Sequence, residues 1–220
     1  MKTIRSNSNI IGLLILASFL TGVLSVAPAV DSPDFMHLTA EEATQTVWAG
    51  IFQFLMGCCY AGIVILFYPM LKAVNPHLAL GALGFRFVSI GLSFLGIALL
   101  NCILIWSQHY VDLGRPDDPV WLSLGEMLKR NRDLINHGWM VLALSLGNLM
   151  LYAVLFQGKF IPKSLIWMGL FGTALSCLAS GFILFQKMEV ISFSYLLMNL
   201  PTGIFELLLA GWLISKGLKN

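Results

Sequence analysis

Apolar runs close to the ~20 residues needed to cross a bilayer recur six times along this chain, and polar turn-formers interrupt them. They cover residues 10–26, 48–71, 78–106, 137–156, 165–185 and 193–214. A lone open strand cannot cross lipid with its backbone groups satisfied, so each run is expected to be a helix. Asp31-Ser32-Pro33-Asp34 follows the first run, Asn75-Pro76 the second, and Arg115-Pro116-Asp117-Asp118-Pro119 the third. Gly158 and Pro162 separate the fourth from the fifth.

The segment before the fourth run has a different rhythm. Val120, Trp121, Leu124, Leu128 and Leu134-Ile135 recur at near-helical spacing, with Glu126, Lys129, Arg130, Arg132 and Asp133 between them. Such a pattern predicts a short amphipathic helix on the membrane surface, serving as a cap on the bundle or as a gate or binding lid. The expected fold is therefore all-α: a polytopic membrane helix bundle of six transmembrane helices with one surface helix. Residues 1–220 are read as one integral membrane domain.

Composition agrees with this pattern. The chain has 220 residues, 58% hydrophobic and only 11% charged, with mean hydropathy +0.83. Soluble domains carry about 25% charged residues, and a water-soluble fold of this make-up would expose large apolar patches. A net charge of +2, without a basic patch, gives no reason to expect nucleic acid. Cys58, Cys59, Cys102 and Cys177 all fall in apolar runs without metal-ligand spacing, and are expected to be buried small hydrophobes.

Charge then suggests an orientation. With the N-terminus inside, the inner segments hold Lys2, Arg5, Lys72, Lys159, Lys163, Lys216 and Lys219 and no carboxylate. The outer segments hold Asp31, Asp34, Glu41, Glu42, Asp112, Asp117, Asp118, Glu126, Asp133 and Glu189. Their basic residues are Arg115, Lys129, Arg130, Arg132 and Lys187, most of them in one long loop that topology depends on less. Both termini are accordingly expected in the cytoplasm of a plasma (inner) membrane. Lys2, Arg5, the first apolar run and Ala27-Pro28-Ala29 also resemble a cleavable secretory signal, which would leave five spans. The run is longer than the ~7–15 residues of a signal core, which favours its retention.

Two charged residues lie within the runs, at a cost of about 2.5–3.5 kcal/mol each on the insertion scale. Arg86 and Glu206 each sit about eight residues from the inner end of their span, or roughly 12 Å deep at 1.5 Å per residue. Matching depth and opposite charge suggest an intramembrane ion pair or a shared polar site. The pair is read either as an architectural clamp between spans three and six or as a relay or counter-charge for a bound solute. Pro201 should kink the sixth span near Asn199, adding a polar group beside that site. Gln53, Tyr60, Asn101, Asn148 and Tyr152 are expected to bond between helices. Gly169, Thr173, Cys177 and Gly181 recur every four residues, giving a face for close packing within the bundle, or with partner helices or a second copy. His37, His77, His109 and His137 lack ligand spacing, and no nucleotide-binding or hydrolase motif occurs, so neither metal nor cofactor is expected.

Several runs together resemble a bacterial six-span membrane family known only as domain of unknown function 4386. They are Leu66-Phe67-Tyr68-Pro69-Met70-Leu71-Lys72, Leu80-Gly81-Ala82-Leu83-Gly84-Phe85-Arg86, Arg132-Asp133, Phe160-Ile161-Pro162-Lys163-Ser164-Leu165, and the stretch from Pro201 through Glu206 to Trp212-Leu213-Ile214-Ser215-Lys216-Gly217. The resemblance spans nearly the whole chain and implies that Arg86 and Glu206 belong to the family pattern. It implies no activity. Cys58-Cys59 and residues 131–137 depart from that pattern. The leading expectation is a small-solute or ion permeation or transport protein with a polar site at Arg86, Glu206, Asn199 and Pro201. The alternative is a structural or regulatory component acting through helix partners, and a membrane enzyme stands third.

Overall fold

A computed structural model of the chain describes residues 2–218, with side chains from residue 7 onward. Lys219 and the side chains of Lys2 and Arg5, part of the inner basic set, lie outside the described residues. The described residues form helices α1 (Lys2–Leu24), α2 (Pro28–Asp31), α3 (Phe35–Glu41), α4 (Ala43–Val74), α5 (Pro76–Asp112), α6 (Pro119–Asp133), α7 (Met140–Gln157), α8 (Lys163–Leu184) and α9 (Phe193–Ser215), and no strand. Among the described residues six helical segments are long and apolar enough to cross a membrane, and in the fourth of them α6 runs on into α7. We take the spanning part of that segment to begin after Asp133.

The helix ends follow from local chemistry. Asn75 caps α5 by accepting from the Leu78 amide at 3.1 Å, and Pro76 fills the first position, where no amide is needed. Asp118 and Pro119 start α6 in the same way, with the Val120 amide at 3.0 Å from the Asp118 carboxylate. Past the end of α5 the chain turns through left-handed Gly114 (φ 76°) and Arg115 (φ 58°), and the Arg115 amide returns to the Tyr110 carbonyl at 2.9 Å.

The spanning helices pack in chain order. α1 lies on α4, α4 on α5, α5 on α7, α7 on α8 and α8 on α9, and α9 closes back on α1. The main core sits inside this ring, with Phe67, Leu71, Leu155, Phe205 and Leu213 all fully buried. Gly12 lets α1 approach α9, because a Cβ there would meet Ile214 at 2.7 Å and the Ala210 carbonyl at 3.0 Å.

One end of the ring, here called the capped end, is covered by chain that the sequence marks only as punctuation. Ala27, Val30, Phe35 and Met36 are buried there with Leu100 and Ile103 of α5. α6 is the surface helix, and it docks its Trp121 on α5. The Trp106 and Trp121 rings stack at 4.2 Å, and Trp106 Nε1 donates to the Trp121 carbonyl at 2.9 Å. Val120, Leu122 and Met127 on its other face stay exposed.

The cysteines depart from expectation. Cys58 and Cys102 are exposed on the bundle's outer face, and Cys59 and Cys177 are half-buried. In lipid an apolar run carries no polar stripe to mark its outer side, so burial cannot be read from its composition.

Candidate functional site

Five of the six spanning helices contribute to a cavity of about 30 Å³ in the middle of the ring. Ser18 comes from α1, Tyr60 from α4, Arg86 from α5, Asn148 and Tyr152 from α7, and Phe205 and Glu206 from α9. Arg86 is buried and firmly held. Its Nη2 donates to Asn148 Oδ1 at 2.7 Å, and its guanidinium lies 5.1 Å from the centre of the Tyr60 ring. Gly147 of α7 packs on this stretch of α5, where a Cβ would stand at ordinary contact, 3.4 Å, from the Arg86 backbone amide.

Glu206 lines the same cavity in a different state. It is half-buried, accepts no hydrogen bond from the described residues, and forms no ion pair with Arg86 within 4.0 Å. The two charges thus face one space without touching. Tyr152 sets its ring edge-on to Phe205 at 5.2 Å and fixes the wall beside Glu206.

Asn199 and Pro201 lie on α9 roughly 7–10 Å from Glu206 toward the capped end, at 1.5 Å per residue. Neither lines the cavity. Asn199 donates to the Tyr195 carbonyl of its own helix at 2.9 Å. Pro201 sits inside α9 and leaves the Leu197 carbonyl without its helical donor. Of the other polar groups in the spans, Asn101 faces outward, while Gln53 joins a second site.

The small-residue face of α8 is largely spent inside the bundle. A Cβ on Gly169 would meet Phe205 at 2.9 Å, and one on Gly172 would meet the Thr202 amide nitrogen at 2.9 Å. Ser176 Oγ and Thr202 Oγ1 share a hydrogen bond at 2.9 Å, and Thr173 is buried. Cys177 is half-buried, and Gly181 has open space where a side chain would stand.

The second site lies at the capped end and was not legible in the sequence. A pocket of about 580 Å³ opens there among α1, α2, α4, α9 and the junction of α6 with α7. That junction is a π-helical turn, Leu134–Trp139, a feature often found at functional sites. It turns Asn136 inward, where Gln53 Nε2 donates to Asn136 Oδ1 at 3.1 Å and to the Ser93 carbonyl at 3.0 Å. The turn also brings His137 Nδ1 within 2.9 Å of the Tyr195 hydroxyl.

Arg132, at the end of α6, is buried in the pocket wall. Its Nη1 lies 3.5 Å from Asp133 Oδ1 and 3.8 Å from Asp31 Oδ1. Burial pushes the Asp133 carboxyl up to about 6, and Asp31 adds to the rise, while Arg132 and Lys129 pull the other way. Asp31 is raised as well, again chiefly by burial, with Arg132 and Lys129 opposing. The sequence hints at this cluster only through the adjacent Arg132-Asp133; Asp31 is about a hundred residues away.

Among the described residues no group of His, Cys, Asp and Glu is arranged to hold a metal ion. A family model, DUF4386, described as a domain of unknown function, matches residues 10–217. No curated protein and no solved structure matches the chain.

Proposed function

The chain belongs to the DUF4386 family, a domain of unknown function, and from that premise we propose that it is a permeation or transport protein for a small solute or ion, with its intramembrane site at the Arg86–Glu206 cavity. One observation carries this reading: Arg86 and Glu206 face a common space without closing on each other. An architectural clamp is worth keeping only as a tight, fully bonded pair, because each charge costs about 2.5–3.5 kcal/mol in mid-membrane. Here Asn148 and Tyr60 hold one nitrogen and the face of Arg86, while the Glu206 carboxylate is left for something else. A space of about 30 Å³ holds one or two waters, since one needs ~10–15 Å³ on this measure, and it equally suits a small cation. Arg86 then serves as the fixed counter-charge and Glu206 as the group that takes up and releases a proton or cation.

The reading keeps the protein in the plasma (inner) membrane with both termini cytoplasmic, because Lys72, Lys159, Lys163 and Lys216 share that end of the bundle. The chain works as one membrane domain. Action through partner helices has less support, since Gly169, Gly172 and Thr173 of α8 are already occupied within the ring.

Flux into vesicles tests the proposal. Full-length protein in liposomes, loaded with a pH- or cation-sensitive dye, should pass protons or a small monovalent cation faster than protein-free liposomes. Glu206→Gln should abolish the difference. Wild-type fluxes equal to those of empty liposomes, for protons and monovalent cations alike and with or without a membrane potential, would overturn the assignment.

A further inference from the structure

The transport reading leaves the pocket at the capped end unused, and that pocket is lined by an arginine with an unused donor. Arg132 is 5% exposed. Only its Nη1 has acceptors, Asp133 and Asp31. Its Nε is enclosed without a hydrogen-bond partner, and Nη2 likewise has none among the described residues. In a planar guanidinium, Nε–H and the Nη2 hydrogens point to the same side. Nε touches no free space, so Nη2 is the donor on that side that a carboxylate or phosphate oxygen can reach. An arginine that lines a pocket with a donor left unused is a place for an anionic ligand.

The remaining wall says what else the ligand carries. Met56 and Met140 line the interior, and Val26, Ile191 and Leu196 line the mouth while remaining largely exposed. Val26 and Leu196 adjoin the ends of α1 and α9, so the mouth lies at the level where the spans meet the surface. At about 580 Å³ the pocket is of small-molecule size, within the ~300–1,000 Å³ usual for such sites. Asp31 and Asp133 would repel an anion, but Lys129 and Arg130 line the adjoining clefts and offset them.

We propose that this pocket binds an anionic amphiphile, a carboxylate or phosphate head on an apolar tail, with the head on the Nη2 side of the Arg132 guanidinium and the tail leaving past Val26, Ile191 and Leu196. The head group comes either from a free fatty acid or from an anionic phospholipid of the surrounding bilayer.

The test uses full-length protein in nanodiscs of zwitterionic lipid. Oleate, phosphatidylglycerol, acetate and inorganic phosphate are titrated separately, with tryptophan fluorescence and native mass spectrometry as readouts. Oleate, phosphatidylglycerol or both should bind, and the one that binds identifies the source. Acetate and phosphate should bind at least about tenfold more weakly. Ile191→Asp, at an exposed position on the mouth, should weaken amphiphile binding about tenfold without disturbing the fold. Arg132→Gln should do the same wherever it folds. Absence of amphiphile binding, equal binding of the short anions, or an unchanged affinity in Ile191→Asp or in folded Arg132→Gln would each overturn the proposal.

Discussion

The side-chain oxygen of Asn136 occupies the space over Gly96 where any other residue would put its Cβ. This contact seats the π-helical turn on α5, and the same oxygen receives the Gln53 hydrogen bond. Gly96→Ala should therefore push Asn136 away and break that bond. Overpacking costs about 1–3 kcal/mol, and the lost buried hydrogen bond adds about 1 kcal/mol. A thermal melt in detergent should show a clearly lowered Tm for Gly96→Ala. Gly91→Ala, with nothing within 4 Å of its added carbon, should melt near wild type.

Arg86 and Glu206 should separate stability from activity. Arg86→Met leaves Asn148 Oδ1 without its donor and removes the cation from the Tyr60 ring, a loss of about 2–4 kcal/mol. Glu206→Gln removes a carboxylate that accepts no hydrogen bond from the described residues. Its stability should stay within about 1 kcal/mol of wild type, or rise, while the vesicle flux disappears. If Glu206→Gln instead unfolds the protein, the carboxylate is structural.

Asp133 should make the fold less stable as the solution becomes more alkaline. Its carboxyl is raised from 3.8 to about 6, so between these values the folded chain binds more protons than the unfolded one. The resulting stabilisation is fully present below pH 3.8 and is lost as pH rises through about 6. Its ceiling is about 3 kcal/mol, at 1.36 kcal/mol per pH unit. Asp31, Lys129, Arg130, Lys187 and Glu189 share one side of its surroundings and Arg132 and His137 the other, and Asp31 shifts in the same direction. Asp133→Asn should accordingly raise Tm at about pH 8, with the gain shrinking toward about pH 5. An equal gain at both would contradict the shift.

The glycines of α8 should answer differently at its two ends. Gly172→Ala forces its Cβ against the Thr202 backbone, and should cost about 1–3 kcal/mol and loosen α9. Gly181→Ala meets nothing within 4 Å. It should be neutral or stabilise the helix by up to about 1 kcal/mol. Melting curves of the two variants in one detergent decide this.

Much of the bundle was legible because lipid permits so few solutions. A run of ~20 apolar residues must be a helix, and a charge at a matching depth in two runs must find company. That reasoning put Arg86 and Glu206 at one depth, yet depth says nothing about rotation around each axis. So it did not show that Asn148 and Tyr60, rather than Glu206, hold the guanidinium. The π-helical turn at Leu134–Trp139 was invisible, because one extra residue per turn leaves composition and periodicity nearly unchanged. The proximity of Asp31 to Arg132 depends on how α2 and α3 fold back over the bundle, a long-range event with no local signal. The small-residue stripe of α8 was plain as a packing face, but its partner, α9, was named by contacts alone.

The ring imposes an order on assembly. α1 reaches its last neighbour only when α9 arrives, because Gly12 packs on Ala210 and Ile214, and Ser18 shares a cavity with Glu206. Helices entering the bilayer in chain order therefore leave Arg86 and Asn148 beside an open seam until the final span is made. Up to that moment the nascent bundle presents a charge to lipid or to an insertion chaperone. A chain broken off before α9 never hides it, so quality control could recognise an unfinished copy by the arginine it still shows.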